Sequence, residues 1–419
     1  MRPITTHQSP ITTARRIVIT GLGPIAACGV GREAFWRSIR EGRSGITRLS
    51  AFHVEGCRAV SVGEIAAWDP AVFFPPHRLK RLDRYAQFSV ASALLALEDA
   101  RLPWSKERPQ PRTGVSFGTA LGGIAGAEDE HARFLQKGPR GVNPTLALQV
   151  FGGSAHANIA IECGLRGVGT TNSNSCASGV VSVGEAMRYI RDGWADVMLA
   201  GGSGCRLHPM ALVARGDALL SHRRDDCTRA SRPFDLDRDG LVNGEGAGMF
   251  VLESRDHAVR RGARIRGHLL SAASRCEPAV GGVGLSGSAL RLAIRAALGQ
   301  AGIEPGGLGH VNAHGASTME MDRVEATAIV AELGDIPVTA PKSAFGHLGA
   351  GGGAVELAAS ILGLEAGLIP ATLNYDSPDP DCPVNVVHRE PLAGRAGTVL
   401  AVNLCSTGQA AAVVVAAER

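Results

Sequence analysis

The chain has 419 residues, 45% hydrophobic and 20% charged, more than one ordinary domain and enough apolar material for a large core without the composition of a disordered segment. Its 43 basic and 39 acidic residues leave a net charge of +4, too balanced for a protein that neutralises a phosphate backbone, and aromatics at 4% offer few stacking platforms for bases. No run supplies the roughly 20 apolar residues of a membrane span, the first residues carry no hydrophobic signal core, and nine cysteines lie scattered without C-x-x-C spacing. These features predict a cytoplasmic protein with reduced thiols, no nucleic acid, no membrane span and no metal site.

Residues 1–14 are polar and Pro-bearing and read as a flexible leader. The first strand follows at 16–20 and runs into G-L-G-P, with a helix near 32–41 and helical periodicity over 84–100. Short apolar strands recur at 114–118, 197–201, 249–253 and 309–313, with a helix over 180–191 between them and another from about 350 to 363. Strands alternating with helices predict an α/β protein whose sheets are covered by helices. The charged stretch 255–266 is where a first half, 15–262, hands over to a second, 263–419.

The segment G-T-T-N-S-N-S-C-A-S-G crowds small residues around Cys176 and is followed by helical periodicity. A cysteine leaving a strand and entering a helix sits at the positive end of the helix dipole, which favours the nucleophilic thiolate, although most such thiols are merely small buried residues. Two histidines stand in glycine-bearing turns, His314 in V-N-A-H-G and His347 in K-S-A-F-G-H-L-G. A helix start disfavours imidazolium, so His347 is expected to be a neutral hydrogen-bond donor. Lys342 opens the second turn in a chain with only four lysines among 43 basic residues, which points to a need for a compact ammonium.

The opening V-I-T-G-L-G, the Cys176 turn, Arg232-Pro233-Phe234-Asp235 with Gly244-Glu245-Gly246-Ala247-Gly248, N-A-H-G and K-S-x-x-G-H occur in the order found in β-ketoacyl-acyl carrier protein synthases of the Cys-His-His type, which the chain resembles over nearly its whole length. The resemblance implies the thiolase fold, with two pseudo-symmetric α/β halves in a five-layered α-β-α-β-α core. It also implies a decarboxylative Claisen condensation with malonyl-acyl carrier protein, in fatty-acid or polyketide biosynthesis. Cys176 would take the acyl chain, His314 and His347 would hold the malonyl thioester carbonyl, and Lys342, paired with Glu325, would order the histidine region. The backbone amides of Cys176 and Thr407 would form the oxyanion hole, Leu121 would line the acyl pocket, and Thr318 would meet the pantetheine arm, with Ala316 replacing a frequent threonine. No metal or organic cofactor is implied, only substrates carried on the phosphopantetheine of an acyl carrier protein docking at Lys80 and Arg81. A homodimer is expected, with a heterodimer with a related ketosynthase-like chain as the other form.

The sequence departs from that family at its C-terminal loop. The usual N-x-F-G-F-G-G-T-N, with a gating phenylalanine, is here Asn403-Leu404-Cys405-Ser406-Thr407-Gly408-Gln409-Ala410-Ala411, which puts Thr407 at the gate. Cys405 invites comparison with thiolases, which use a C-terminal cysteine as acid and base. The altered loop also leaves room for a noncatalytic chain-length-factor subunit.

Overall fold

The apolar run Ile17–Leu22 forms β1, buried at every residue as a strand covered on both faces must be. It opens a computed structural model that describes residues 15–53, 55–108, 110–205, 207–214, 219–279, 285–393 and 397–418; the leader expected at 1–14 lies outside the described residues. The first half continues through α1 (Arg84–Asp99), β2 (Thr113–Gly118), α2 (Ser154–Cys163), β3 (Gly169–Asn172), α3 (Ser178–Arg191), β4 (Val197–Cys205) and β5 (Glu245–Ser254). The same order then repeats as β6 (Gly267–Cys276), α4 (Ser288–Ala301), β7 (His310–Asn312), α5 (Met319–Leu333), β8 (Pro337–Thr339), α6 (Gly352–Ala366), β9 (Thr398–Leu404) and β10 (Gln409–Ala416).

Pairing repeats with the order. In the first half β2 lies parallel to β3 and β4, while β4–β5 and β5–β1 are antiparallel. In the second, β7 lies parallel to β8 and β9, while β9–β10 and β10–β6 are antiparallel. β1 and β6 pair with each other, Ile17 opposite Leu269, and join the halves. This is the expected α/β thiolase fold, two pseudo-symmetric halves built on one supersecondary plan.

The layers follow from where the helices pack. α1 covers β1, β4 and β5, and α4 covers β6 and β10, as outer layers. Between the sheets lie α3, against β2, β4 and β6, and α6, against β5 and β9. Their shared core includes Val180, Val183, Met187, Ala354, Val355, Leu357 and Ile361. A helix buried on all sides needs apolar residues on all sides, and α6 has them from Gly352 to Gly363, broken only by Glu356 and Ser360. The two central helices cross closely enough that a Cβ on Gly179 would stand 2.6 Å from the Ala350 carbonyl oxygen.

Several predicted boundaries move. The strand expected at 249–253 extends over ten residues because both ends are buried. The charged stretch at 255 begins as the short helix Arg255–Arg260, where the Ser254 side chain accepts from the His257 amide. The helix predicted from 350 is preceded by the tight turn Gly349–Gly351. Among the described residues no helix is long and apolar enough to cross a membrane.

Candidate active site

Four chain segments meet beyond the C-terminal ends of β3, β7, β8 and β9, the end of an α/β sheet at which ligands bind. After β3 the chain tightens into Ser175–Ala177, with Ser175 left-handed at φ 51, and then enters α3. This strained turn is clamped by Ser178, whose hydroxyl donates to the Thr119 and Ser175 carbonyls and accepts from the Asn174 amide. Cys176 is thereby held at the helix start, 5% exposed.

The His314 turn is built from buried charge. Glu325 on α5 accepts from the amides of His314 (2.6 Å) and Gly315 (2.8 Å). Burial pushes the Glu325 carboxyl up to about 8, against those amides and the nearby Lys342 charge. Asp322 accepts from the Phe234 and Ser317 amides, and Arg238 donates to the Thr318 carbonyl, which explains the Arg232–Gly240 motif as a clamp on this turn. The His347 turn hangs on the chain before β5: its amide donates to the Val242 carbonyl at 2.7 Å, and its carbonyl accepts from Gly244.

These segments bring the two rings edge to face at 5.3 Å, with His347 Nε2 3.5 Å from Cys176 Sγ. His347 Nδ1 accepts from the Gly349 amide at 3.2 Å, so Nε2 carries the hydrogen. His314 Nδ1 faces Asn403 Nδ2 at 3.4 Å. Glu356 Oε2 and the Val402 carbonyl accept from that nitrogen, which fixes the amide orientation. Sγ and a nitrogen of each ring lie within 4.8 Å, a spacing a cation could bridge. The His347 tautomer disfavours one, because its Nε2 offers the sulfur a hydrogen instead of a lone pair.

Lys342 does not meet its expected partner in the expected way. Its ammonium donates to Glu356 Oε1, while the Glu325 oxygens accept from backbone amides and Glu325 feels the Lys342 charge. The pairing with Glu325 expected from sequence is therefore corrected to Glu356, and a relay Lys342–Glu356–Asn403–His314 results. Sequence reading missed Glu356 and Asn403. A lone carboxylate in an otherwise apolar helix is the signal that would have found Glu356.

A cavity of about 380 Å³ reaches Cys176 and His347, lined also by Ser175, Thr318, Met319 and Ser406. Thr318, expected to meet the pantetheine arm, faces it. Leu121 is 49% exposed and is not among the residues lining this cavity. From the C-terminal loop Ser406 lines it, whereas Thr407 is exposed and turns its hydroxyl to Gln409. Cys405 is buried and its Sγ lies 3.1 Å from the Thr407 hydroxyl. Its hydrogen-bond partners are Cys176, Ser175 and both the hydroxyl and amide of Thr407; led by Cys176, these bonds outweigh burial and hold the thiol down to about 4. The Thr407 amide, expected in the oxyanion hole, is thus engaged by Cys405. Lys80 and Arg81 are exposed, but Arg84 and Arg78 in the same basic run turn inward to Glu245 and Glu162.

A sulfur beside two N–H donors, on a fold of the thiolase class, suits acyl transfer, with the donors holding oxygen charge as it develops. Residues 14–258 match the Beta-ketoacyl synthase N-terminal domain, and residues 265–376 match its C-terminal domain. The chain belongs to the β-ketoacyl synthase family and is a carbon–carbon bond-forming acyltransferase. It is 34% identical over 384 residues to 3-oxoacyl-[acyl-carrier-protein] synthase 2 of Synechocystis sp., covering 89% of this chain and 91% of that one. It is 38% identical over 416 residues to the tetracenomycin polyketide synthase ketoacyl synthase alpha subunit of Streptomyces glaucescens, covering 96% and 97%. The solved ishigamide ketosynthase/chain length factor superposes with a TM-score of 0.89 at 31% identity, covering 97% of this chain and 100% of that one.

Proposed function

We propose that this enzyme condenses an acyl group held on Cys176 with malonyl-acyl carrier protein, with loss of carbon dioxide, in fatty-acid or polyketide biosynthesis. The single observation that carries this reading is the gathering of the Cys176 sulfur and a nitrogen of each of His314 and His347 within 4.8 Å, with His347 Nε2 3.5 Å from the sulfur. Cys176 attacks the acyl thioester and expels the carrier thiol. The malonyl thioester then enters, and His314 and His347 donate to its carbonyl oxygen. Breaking the bond to the carboxylate releases carbon dioxide and leaves an enolate whose oxygen charge those donors hold. The enolate carbon attacks the Cys176 thioester; the tetrahedral oxyanion rests on the Cys176 amide, and on the Thr407 amide once Cys405 lets it go. Collapse expels the Cys176 thiolate and frees the β-ketoacyl carrier. Lys342 and Glu325 act by holding the histidine turns, and Thr318 borders the path of the phosphopantetheine arm.

Carrier docking is assigned to the exposed Lys80 and Arg81, which would meet an acidic carrier protein. A dimer is proposed, with a second copy or with a related chain; the name of the solved ketosynthase/chain length factor supports the second. Ketosynthase names among the relatives favour neither the noncatalytic nor the thiolase reading.

Replacing Cys176 with Ala is expected to abolish transfer of an acyl group from carrier protein, followed by mass spectrometry of the intact chain. Uptake at the native rate in that variant would refute the assignment.

A further inference from the structure

The condensation asks no chemical step of the Cys405 thiol, yet the Cys176 side chain is the foremost partner holding its pKa down. The contact is built into the fold, because the Ser175–Ala177 turn packs against β9 and β10, and Cys405 follows β9 directly. Both thiols are buried, at 5% and 1% exposure, but Cys176 lines the cavity and Cys405 does not. The pair therefore has a front sulfur within reach of a small solute and a back sulfur held by four hydrogen-bond partners.

We propose that Cys176 and Cys405 form a reversible modification site for peroxides, in which the two sulfurs close an intramolecular disulfide. Cys176, its proton passed to water, attacks one peroxide oxygen; the O–O bond breaks, leaving a sulfenic acid and hydroxide. The Cys405 thiolate then attacks the sulfenic sulfur, forming the S–S bond and expelling a second hydroxide. For hydrogen peroxide, two thiols lose two electrons and two protons while the peroxide is reduced to two waters. A sulfenic acid with a resolving thiol at hand condenses to the disulfide instead of climbing to sulfinate. The hydrogen bonds from Ser175 and Thr407 keep Cys405 in the attacking form. An acyl group on Cys176 blocks the first step, so an enzyme loaded with substrate is protected.

The test uses the full chain with stoichiometric hydrogen peroxide and readouts that need no condensing activity. The expected result is a loss of two titratable thiols from the nine present, one non-reduced peptide joining Cys176 to Cys405, and return of both thiols with dithiothreitol. Cys405→Ser is expected to carry Cys176 on to sulfinate, which dithiothreitol does not reverse. Mapping of wild type alone decides the matter if that variant fails to fold. Sulfinate at Cys176 in wild type, a link to another cysteine, or no link at all would overturn the proposal, and none of these outcomes bears on the condensation.

Discussion

Replacing Glu356 with Gln removes one charge and almost no volume from the middle of the molecule. Lys342 and Glu356 side chains are 2% and 1% exposed, so no solvent screens the ammonium left behind. Removing one partner of a buried pair costs about 3–5 kcal/mol, because the remaining charge is desolvated without compensation. Glu325, whose ionised form the Lys342 charge favours, takes up part of that charge, which places the cost near the lower figure. At about 2.1 cal/mol/K per residue the unfolding entropy of so long a chain is on the order of 0.9 kcal/mol/K, so about 3 kcal/mol lowers Tm by roughly 3–4 °C. The Gln carbonyl still accepts from Asn403, so His314 keeps its neighbour and activity falls less than stability. Calorimetric melts of Glu356→Gln, Lys342→Met and the double variant measure this, since replacing both partners relieves the buried charge and gives a coupling energy of at least about 1 kcal/mol. A Glu356→Gln melt indistinguishable from wild type, or strictly additive single costs, would refute the assignment of Glu356 as the counter-ion.

The ion cluster around Glu253 predicts acid sensitivity. Although burial raises its pKa, hydrogen bonds from Arg261, His257 and Thr20 hold the carboxyl down to about 2 from 4.5. A depressed folded-state value means stability that is present above pH 4.5 and lost as pH falls toward 2, about 3 kcal/mol in all. Glu253→Gln should lose that stability at neutral pH and flatten the acid limb in denaturant titrations, and limbs of equal slope would contradict the cluster's role. Charge reversal at Lys80 and Arg81 should weaken apparent carrier affinity and its salt dependence while leaving turnover at saturation unchanged; unchanged affinity at low salt would remove these residues from the docking surface.

What was legible in the sequence follows from the range of the forces involved. Long helices such as Arg84–Asp99 and strands such as Val197–Cys205 announce themselves by local periodicity. The repetition of one strand order in both halves does not, because β7 and β8 are three residues each and owe their existence to partners far along the chain. At the site, Cys176, His314 and His347 were visible because each sits in a run of small residues that only a tight turn requires. Glu356 was hidden by its setting: on a helix otherwise almost wholly apolar, and fourteen residues after Lys342, it shares no local pattern with the residue it neutralises.

The C-terminal loop is where sequence and geometry part most usefully. Alignment put Thr407 at the gate, and by position alone a small hydroxyl replaces an aromatic ring that would shut the acyl pocket. The geometry assigns the parts differently. The Cys405 amide donates to the Gln409 carbonyl at 2.8 Å and the Gly408 amide to the Cys405 carbonyl at 2.9 Å, closing a turn that leaves Thr407 exposed and Ser406 on the cavity. The Thr407 amide and hydroxyl are drawn to the Cys405 sulfur instead. A loop that in its relatives' pattern blocks by bulk is here held by hydrogen bonds converging on one sulfur, itself bonded to the nucleophile. Freeing the Thr407 amide for an oxyanion would require those bonds to loosen.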